Sequence, residues 1–149
     1  MAASNKISPQ PILLVEDSED DYEATMRAFH KSNMRNPVKW CRSGQIALDY
    51  LHSEGKKNTG ELPGVILLDL NMPGLDGRKT LGFIKADAVL RRIPVIVLTT
   101  SSDERDVNDC YQMGANTYIQ KPVSFDGLID AIKQLKEYWF EIALLPKDG

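Results

Sequence analysis

Short apolar blocks recur along this chain, separated by stretches with helical periodicity. Ile12-Leu13-Leu14-Val15 and Val65-Ile66-Leu67-Leu68 are continuous rather than alternating, as is the run over 93–98 with Pro94 near its start. Strands of this kind are covered on both faces, as in a parallel sheet. Two weaker runs, Val38-Lys39-Trp40-Cys41 and Thr117-Tyr118-Ile119-Gln120, bring the expected strands to five. After Ser18, the residues Tyr22, Thr25, Met26 and Phe29 fall at i, i+3, i+4 and i+7, one face of a helix. Ser18 and Asp21 read as its capping pair. Further helices are expected over 45–52, 77–86, 103–113 and 124–140, each following a cap or turn residue. The polar stretch 52–60 reads as a surface loop.

Strict strand and helix alternation predicts a parallel sheet with right-handed crossovers and helices on both faces, a doubly wound α/β fold. In such a fold the site lies at the carboxyl ends of the strands. At 149 residues the chain is expected to form one domain, with a tail over 1–10, the domain over 11–140 and an extension over 141–149. No linker-like tract separates a second module, so no output domain is expected.

Composition changes this picture mainly by exclusion. With 42% hydrophobic and 26% charged residues the chain is an ordinary globular one. A net charge of -3 offers no basic field for nucleic acid, so protein partners are expected instead. No apolar run reaches membrane-spanning length and the opening residues lack a signal-peptide pattern, which predicts a cytoplasmic protein. Cys41 and Cys110 lack metal-type spacing and read as buried, reduced thiols.

The polar residues just past the strands carry the candidate chemistry: Glu16 and Asp17 after the first, Asp69 after the third, Thr99 at the fourth and Lys121 after the fifth. Three crowded carboxylates repel one another unless a cation joins them, and a compact set of oxygens suits Mg²⁺. Asp69 could then act as a nucleophile forming an aspartyl phosphate, with Lys121 neutralising phosphoryl oxygens and the Thr99 hydroxyl donating to one of them. Taken singly, each has a plainer reading: Asp69 as a turn cap, Glu16 and Asp17 as a solvated helix approach like Glu19, Asp20 and Asp21, Lys121 and Thr99 as ordinary surface and strand residues. Their joint placement favours the site. His30 and His52 have no evident carboxylate partner and read as surface residues.

Four runs in order, Leu13 to Ser18 (LLVEDS), Leu67 to Gly77 (LLDLNMPGLDG), Val97 to Ser101 (VLTTS) and the pair Lys121-Pro122, resemble the receiver domains of bacterial response regulators. The resemblance runs from about Pro11 to the last helix. It implies a flavodoxin-like sheet with strand order 2-1-3-4-5 and a stand-alone two-component signalling protein, a phosphoacceptor rather than an enzyme acting on a separate substrate. A sensor histidine kinase would donate the phosphoryl group to Asp69, with Mg²⁺ as cofactor and Mn²⁺ or Ca²⁺ able to substitute. It further implies Asp17 as a direct metal ligand, Glu16 as one acting through water, the Asn71 backbone carbonyl as another, and Thr99 with Lys121 as the phosphoryl-binding pair. Tyr118 matches the family's switch aromatic. Asn71 and Ser101 match the positions that tune phosphoryl lifetime, and Lys121-Pro122 matches a cis peptide.

Within the family, the long polar loop and the ending Tyr138-Trp139-Phe140-Glu-Ile-Ala-Leu-Leu-Pro146 resemble small regulators that partner phytochrome-type kinases, implying a bacteriophytochrome upstream. The apolar group Tyr138, Trp139, Phe140, Ile142, Leu144 and Leu145 suggests a homodimer or partner contact. Three rival functions differ from this one at particular residues. A phosphohydrolase would want an acid where Asn71 stands. In a flavin-binding module, Glu16 and Asp17 would repel the phosphate. A receiver-like adaptor that is never phosphorylated would have no need of the acid, threonine and lysine set.

Overall fold

In the computed structural model, residues 10–57, 61–72, 74 and 76–142 are described. Five strands, β1 (Ile12–Val15), β2 (Val38–Cys41), β3 (Val65–Leu68), β4 (Val95–Thr99) and β5 (Thr117–Gln120), form one parallel sheet in the order β2-β1-β3-β4-β5. Five α-helices alternate with them: α1 (Glu19–Lys31), α2 (Gly44–Lys56), α3 (Gly77–Ala86), α4 (Glu104–Gln112) and α5 (Phe125–Leu135). The doubly wound α/β architecture and strand order match the expectation.

The pleat explains why the central strands are apolar throughout. Leu13, Val15, Ile66, Leu68, Val95 and Val97 face α2, α3 and α4, packing with Leu48, Leu51, Leu81, Ile84 and Cys110. Ile12, Leu14, Val65, Leu67 and Ile96 face α1 and α5, packing with Phe29, Leu128, Ile132 and Leu135. Alternate residues of one strand thus enter two different cores. The edge strands β2 and β5 are less buried, which is why their sequences read more weakly.

Local chemistry sets the helix starts. Ser18, Ser43, Asp76, Asp103 and Ser124 each accept a hydrogen bond from a backbone N–H of the first turn of α1 to α5 respectively. At α1 the Ser18 side chain accepts from the Asp21 N–H as expected, whereas the Ser18 N–H donates to Glu16 rather than to Asp21.

Several expectations are corrected. Helix α2 runs through Ser53-Glu54-Gly55 to Lys56, because Ala47, Leu48 and Leu51 anchor its earlier turns and nothing crowds Gly55; its C-terminal end is tied by Lys57 Nζ donating to Glu54 at 2.6 Å. The last helix ends its α-form at Leu135 and continues as a π-helical segment, Lys136–Ile142. His52 does have a carboxylate partner, Asp87 at 3.4 Å. No cis peptide occurs among the described residues, so Lys121-Pro122 is trans. Lys121 extends the β5 pairing through its N–H, 2.6 Å from the Thr99 carbonyl, and trans is the ordinary state of an X-Pro bond.

Trp139 and Phe140 pack against the α1/α5 core while Tyr138 is exposed, so the apolar ending is partly absorbed by its own domain. The Ile142 side chain and residues Leu144 and Leu145 lie outside what is described. Both cysteines are buried and free, and burial pushes the Cys110 thiol up to about 11.

Gly77, at the start of α3, sits against the loop after β3. A Cβ there would run into the Asp69 carbonyl and stand 2.6 Å from the Leu70 Cα. Backbone cannot give way as a side-chain tip can. Gly77→Ala is expected to cost about 1–3 kcal/mol, the range for overpacking. The lost stability would be read from the urea midpoint.

Candidate functional site

The order β2-β1-β3 reverses the direction of winding at β1, and the crevice beyond the carboxyl ends of β1 and β3 is where such sheets present their sites. Glu16 and Asp17 leave β1 there, and Asp69 leaves β3. One carboxylate oxygen from each lies within 4.8 Å of the others. The Glu16 backbone is held on both sides: its N–H donates to the Cys41 carbonyl at 3.1 Å, and its carbonyl accepts the Trp40 indole N–H at 2.7 Å. Trp40 is in turn stacked on Tyr22, with ring centroids 3.8 Å apart.

Lys121 enters from β5. Its Nζ lies 2.6 Å from Glu16 Oε1 and 3.4 Å from Asp21 Oδ2. Glu16 is only 2% exposed, so this is a nearly dry ion pair. Burial pushes the Glu16 carboxyl up to about 7; the Lys121 hydrogen bond and charge oppose the rise, and the Asp69 charge adds to it. Burial works to lower the Lys121 value, but the hydrogen bond to Glu16 and the charges of Glu16, Asp69 and Asp21 outweigh it and hold the ammonium above its ordinary value. The Glu16 rise is mainly the cost of burying its charge, whereas the Lys121 rise and the Asp69 contribution at Glu16 reflect a cluster with more acids than cations, which gains from an added cation. Hard carboxylate oxygens at this spacing fit a divalent ion such as Mg²⁺.

On the other flank Thr99 is fully buried at the end of β4, and its Oγ1 accepts from the Asn71 side-chain amide at 3.3 Å. The Asn71 N–H also reaches Asp69 Oδ1, at 3.4 Å. Asn71 therefore bridges the β3 and β4 ends. Ser101 turns its hydroxyl away from this bridge and donates to Asp106 Oδ2 at 2.8 Å. The Tyr118 hydroxyl donates to the Ser101 carbonyl at 2.9 Å.

The structure thus gathers Glu16, Asp17, Asp69, Lys121, Asn71 and Thr99 at one end of the sheet, with Ser101 and Tyr118 beside Thr99. The sequence reading missed three participants. Asp21 reaches Lys121, and its place one helical turn beyond Asp17 was the available signal. Trp40 holds the acid loop from a neighbouring strand, and Asp106 gathers Ser101 and Arg78 from 5 and 28 residues away; neither had a local signature.

Residues 12–133 match the profile of the response regulator receiver domain. The chain is 42% identical over 133 residues to the probable methanogenesis regulatory protein FilR2 of Methanothrix harundinacea, covering 88% of this chain and 84% of that protein. It is 37% identical over 138 residues to response regulator Rcp1 of Synechocystis, covering 93% and 94%. The crystal structure of the Mn²⁺-bound form of Rcp1 superposes with a TM-score of 0.83 over 93% of this chain and all of that one. The phosphorylated cyanobacterial phytochrome response regulator RcpA superposes with a TM-score of 0.85 at 38% identity, over 94% of this chain and all of that one.

Proposed function

The chain belongs to the response regulator receiver domain family, and from that membership we propose that it is a phosphorylation switch in which Asp69 takes a phosphoryl group from a histidine kinase. The observation that carries this reading is the convergence of three carboxylates and one buried-paired lysine at the carboxyl ends of β1, β3 and β5. An Asp69 oxygen attacks phosphorus, the phosphorus–nitrogen bond of the donor phosphohistidine breaks, and the imidazole leaves with the electron pair. Lys121 then pairs with a phosphoryl oxygen, and Thr99 donates its hydroxyl to another.

Mg²⁺, held by Asp17, Asp69 and the Asn71 carbonyl with Glu16 acting through water, would supply positive charge that offsets the transferring oxygens. Mn²⁺ or Ca²⁺ would substitute. Once modified, Asp69 favours the state in which Thr99 is drawn toward the phosphoryl group and Tyr118 is held inward, a shift between two populations of one fold. Asn71 and Ser101 set how long the phosphoryl group survives.

Intact mass after incubation with acetyl phosphate tests this. One phosphoryl adduct is expected with Mg²⁺ and none in chelator. Asp17→Asn is expected to raise the Mg²⁺ concentration for half-maximal adduct by at least about tenfold, the usual size of a lost metal-site interaction. An adduct with no metal dependence contradicts the ligand set, and no adduct with any donor favours a receiver-like adaptor.

Likeness to Rcp1 and RcpA supports a phytochrome-type kinase, a bacteriophytochrome, as the donor. A groove of about 440 Å³ beside Lys121, lined by Asp21, Ala24, Pro122, Val123 and Phe125, gives such a protein partner apolar surface near the site. Exposed Tyr138 supports a homodimer contact at the π-helical ending. Because Trp139 and Phe140 pack against the core, the sparing test is Tyr138→Glu: sedimentation as a monomer where the parent is a dimer supports the contact, and an unchanged oligomer removes it.

A further inference from the structure

The three clustered acids are not steered alike. Lys121 and the Ser18 N–H donate to the Glu16 carboxylate, and the Asn71 N–H donates to Asp69. Among the described residues no hydrogen bond or ion pair reaches the Asp17 side chain, which is nonetheless part of the cluster. Its placement therefore comes from its backbone, and first from the peptide that joins it to Glu16.

Two neighbouring β2 residues grip that backbone. The Glu16 N–H donates to the Cys41 carbonyl at 3.1 Å, and the Glu16 carbonyl accepts the Trp40 indole N–H at 2.7 Å. A peptide unit is planar, so a fixed carbonyl also fixes the Asp17 nitrogen and Cα, from which a short carboxylate side chain projects. The indole is itself clamped. It lies 3.8 Å from the Tyr22 ring and within 5° of parallel to it, with the Arg42 guanidinium over the Trp40 ring at 4.9 Å from its centroid. Trp40 and Tyr22 both pack against the α1/α5 core. Tyr22 belongs to α1, the helix that follows the acid loop, so one tryptophan grips the loop by its N–H and the next helix by its face.

We propose that Trp40 is a positioning residue for the metal: its indole N–H sets the Glu16–Asp17 peptide and so holds the Asp17 carboxylate beside those of Glu16 and Asp69. Mutual repulsion would otherwise spread the acids in the absence of a cation, and each ion bound would have to gather them again. Trp40 touches no metal and acts through Asp17. The inference rests on the reading of Asp17 as a metal ligand.

The test measures binding of Mn²⁺ alone to the full chain, with free Mn²⁺ followed by its EPR signal. Trp40→Phe keeps a ring to stack on Tyr22 and removes the donor, and its thermal midpoint in chelator establishes that it is folded. It is expected to weaken Mn²⁺ binding at least about tenfold, the usual size of a lost outer partner of a metal ligand. Added to Asp17→Asn, the same substitution is expected to change affinity less than about twofold further, because both act on one ligand. In wild type the Trp40 indole N–H resonance, assigned by its absence from Trp40→Phe, is expected to shift with Mg²⁺, and to stay in place at the same Mg²⁺ concentration in Asp17→Asn. Tyr22→Leu, which removes the stack and leaves the donor, is expected to weaken binding less but in the same direction, and it stands in should Trp40→Phe not fold.

Unchanged Mn²⁺ affinity in the folded variants would overturn the proposal, and so would a Trp40→Phe loss of equal size with and without Asp17, which would mean that the indole acts on the site by another route. Wild type that binds no Mn²⁺, or Asp17→Asn that binds it as wild type does, would overturn the ligand reading itself, an outcome distinct from the behaviour of the Trp40 variants.

Discussion

Asp69→Asn is expected to abolish the phosphoryl adduct while making the metal-free protein more stable. An amide nitrogen or oxygen cannot replace the carboxylate as nucleophile, so no adduct forms with acetyl phosphate or with a phosphorylated kinase. The stability gain comes from the same charge. Asp69 is buried and has an oxygen within 4.8 Å of the Glu16 and Asp17 carboxylates. At an effective dielectric of about 20, each like-charge pair at that separation costs roughly 3 kcal/mol before screening. Lys121 offsets part of this, leaving a net gain of about 1 kcal/mol for the variant in the absence of metal. Urea denaturation in chelator and in excess Mg²⁺ checks it: the gain should shrink or reverse with Mg²⁺, because the variant has lost a ligand. A variant that is less stable in chelator would show that Asp69 is held by favourable contacts rather than strained by its neighbours.

Lys121→Met carries the second large effect. The ammonium is the cation placed to meet phosphoryl oxygens, and removing one preorganised donor of this kind typically slows the step about 10²–10³-fold. Adduct formation by quenched-flow intact mass should fall by that factor. The substitution also strips Glu16 of its partner at 2.6 Å. A carboxyl whose value rises from 4.5 unfolded to about 7 folded binds protons more tightly when folded. Stability therefore falls as pH rises between those values and is flat above them. Without Lys121 the fall extends to higher pH, its slope still set by one proton. Lys121→Met should accordingly lie close to wild type at pH 5 and be less stable by about 1–3 kcal/mol at pH 8, below the cost of breaking a fully buried pair because Glu16 can take up a proton. Equal losses at both pH values would mean that the lysine stem, not its charge, stabilises the loop.

What the sequence revealed and what it hid divide by range. β1, β3 and β4 were legible because both faces of each are buried, leaving continuous apolar runs. The start of α1 was legible because Ser18 caps within its own turn. The site acids could be placed because strand ends in this architecture must converge. The end of α2 was hidden: Gly55 and two lysines look like a loop, yet Ala47, Leu48 and Leu51 anchor the helix and its last turn follows. The π-helical ending has the same apolar spacing as an α-helix and could not be separated from one. The pairings His52 with Asp87, Lys121 with Asp21 and Arg78 with Asp106 join residues far apart in the chain. Charge at single positions does not say which partner the fold will bring.

The central claim is that the phosphoryl group sits on Asp69. Borohydride reduces an acyl phosphate to an alcohol, so treating the phosphorylated protein and mapping its peptides places the mark on one residue. The account predicts homoserine at position 69 in wild type, dependent on Mg²⁺, and unmodified peptide in Asp69→Asn. A reduced residue at Glu16, Asp17 or any other carboxylate, with Asp69 intact, would contradict it.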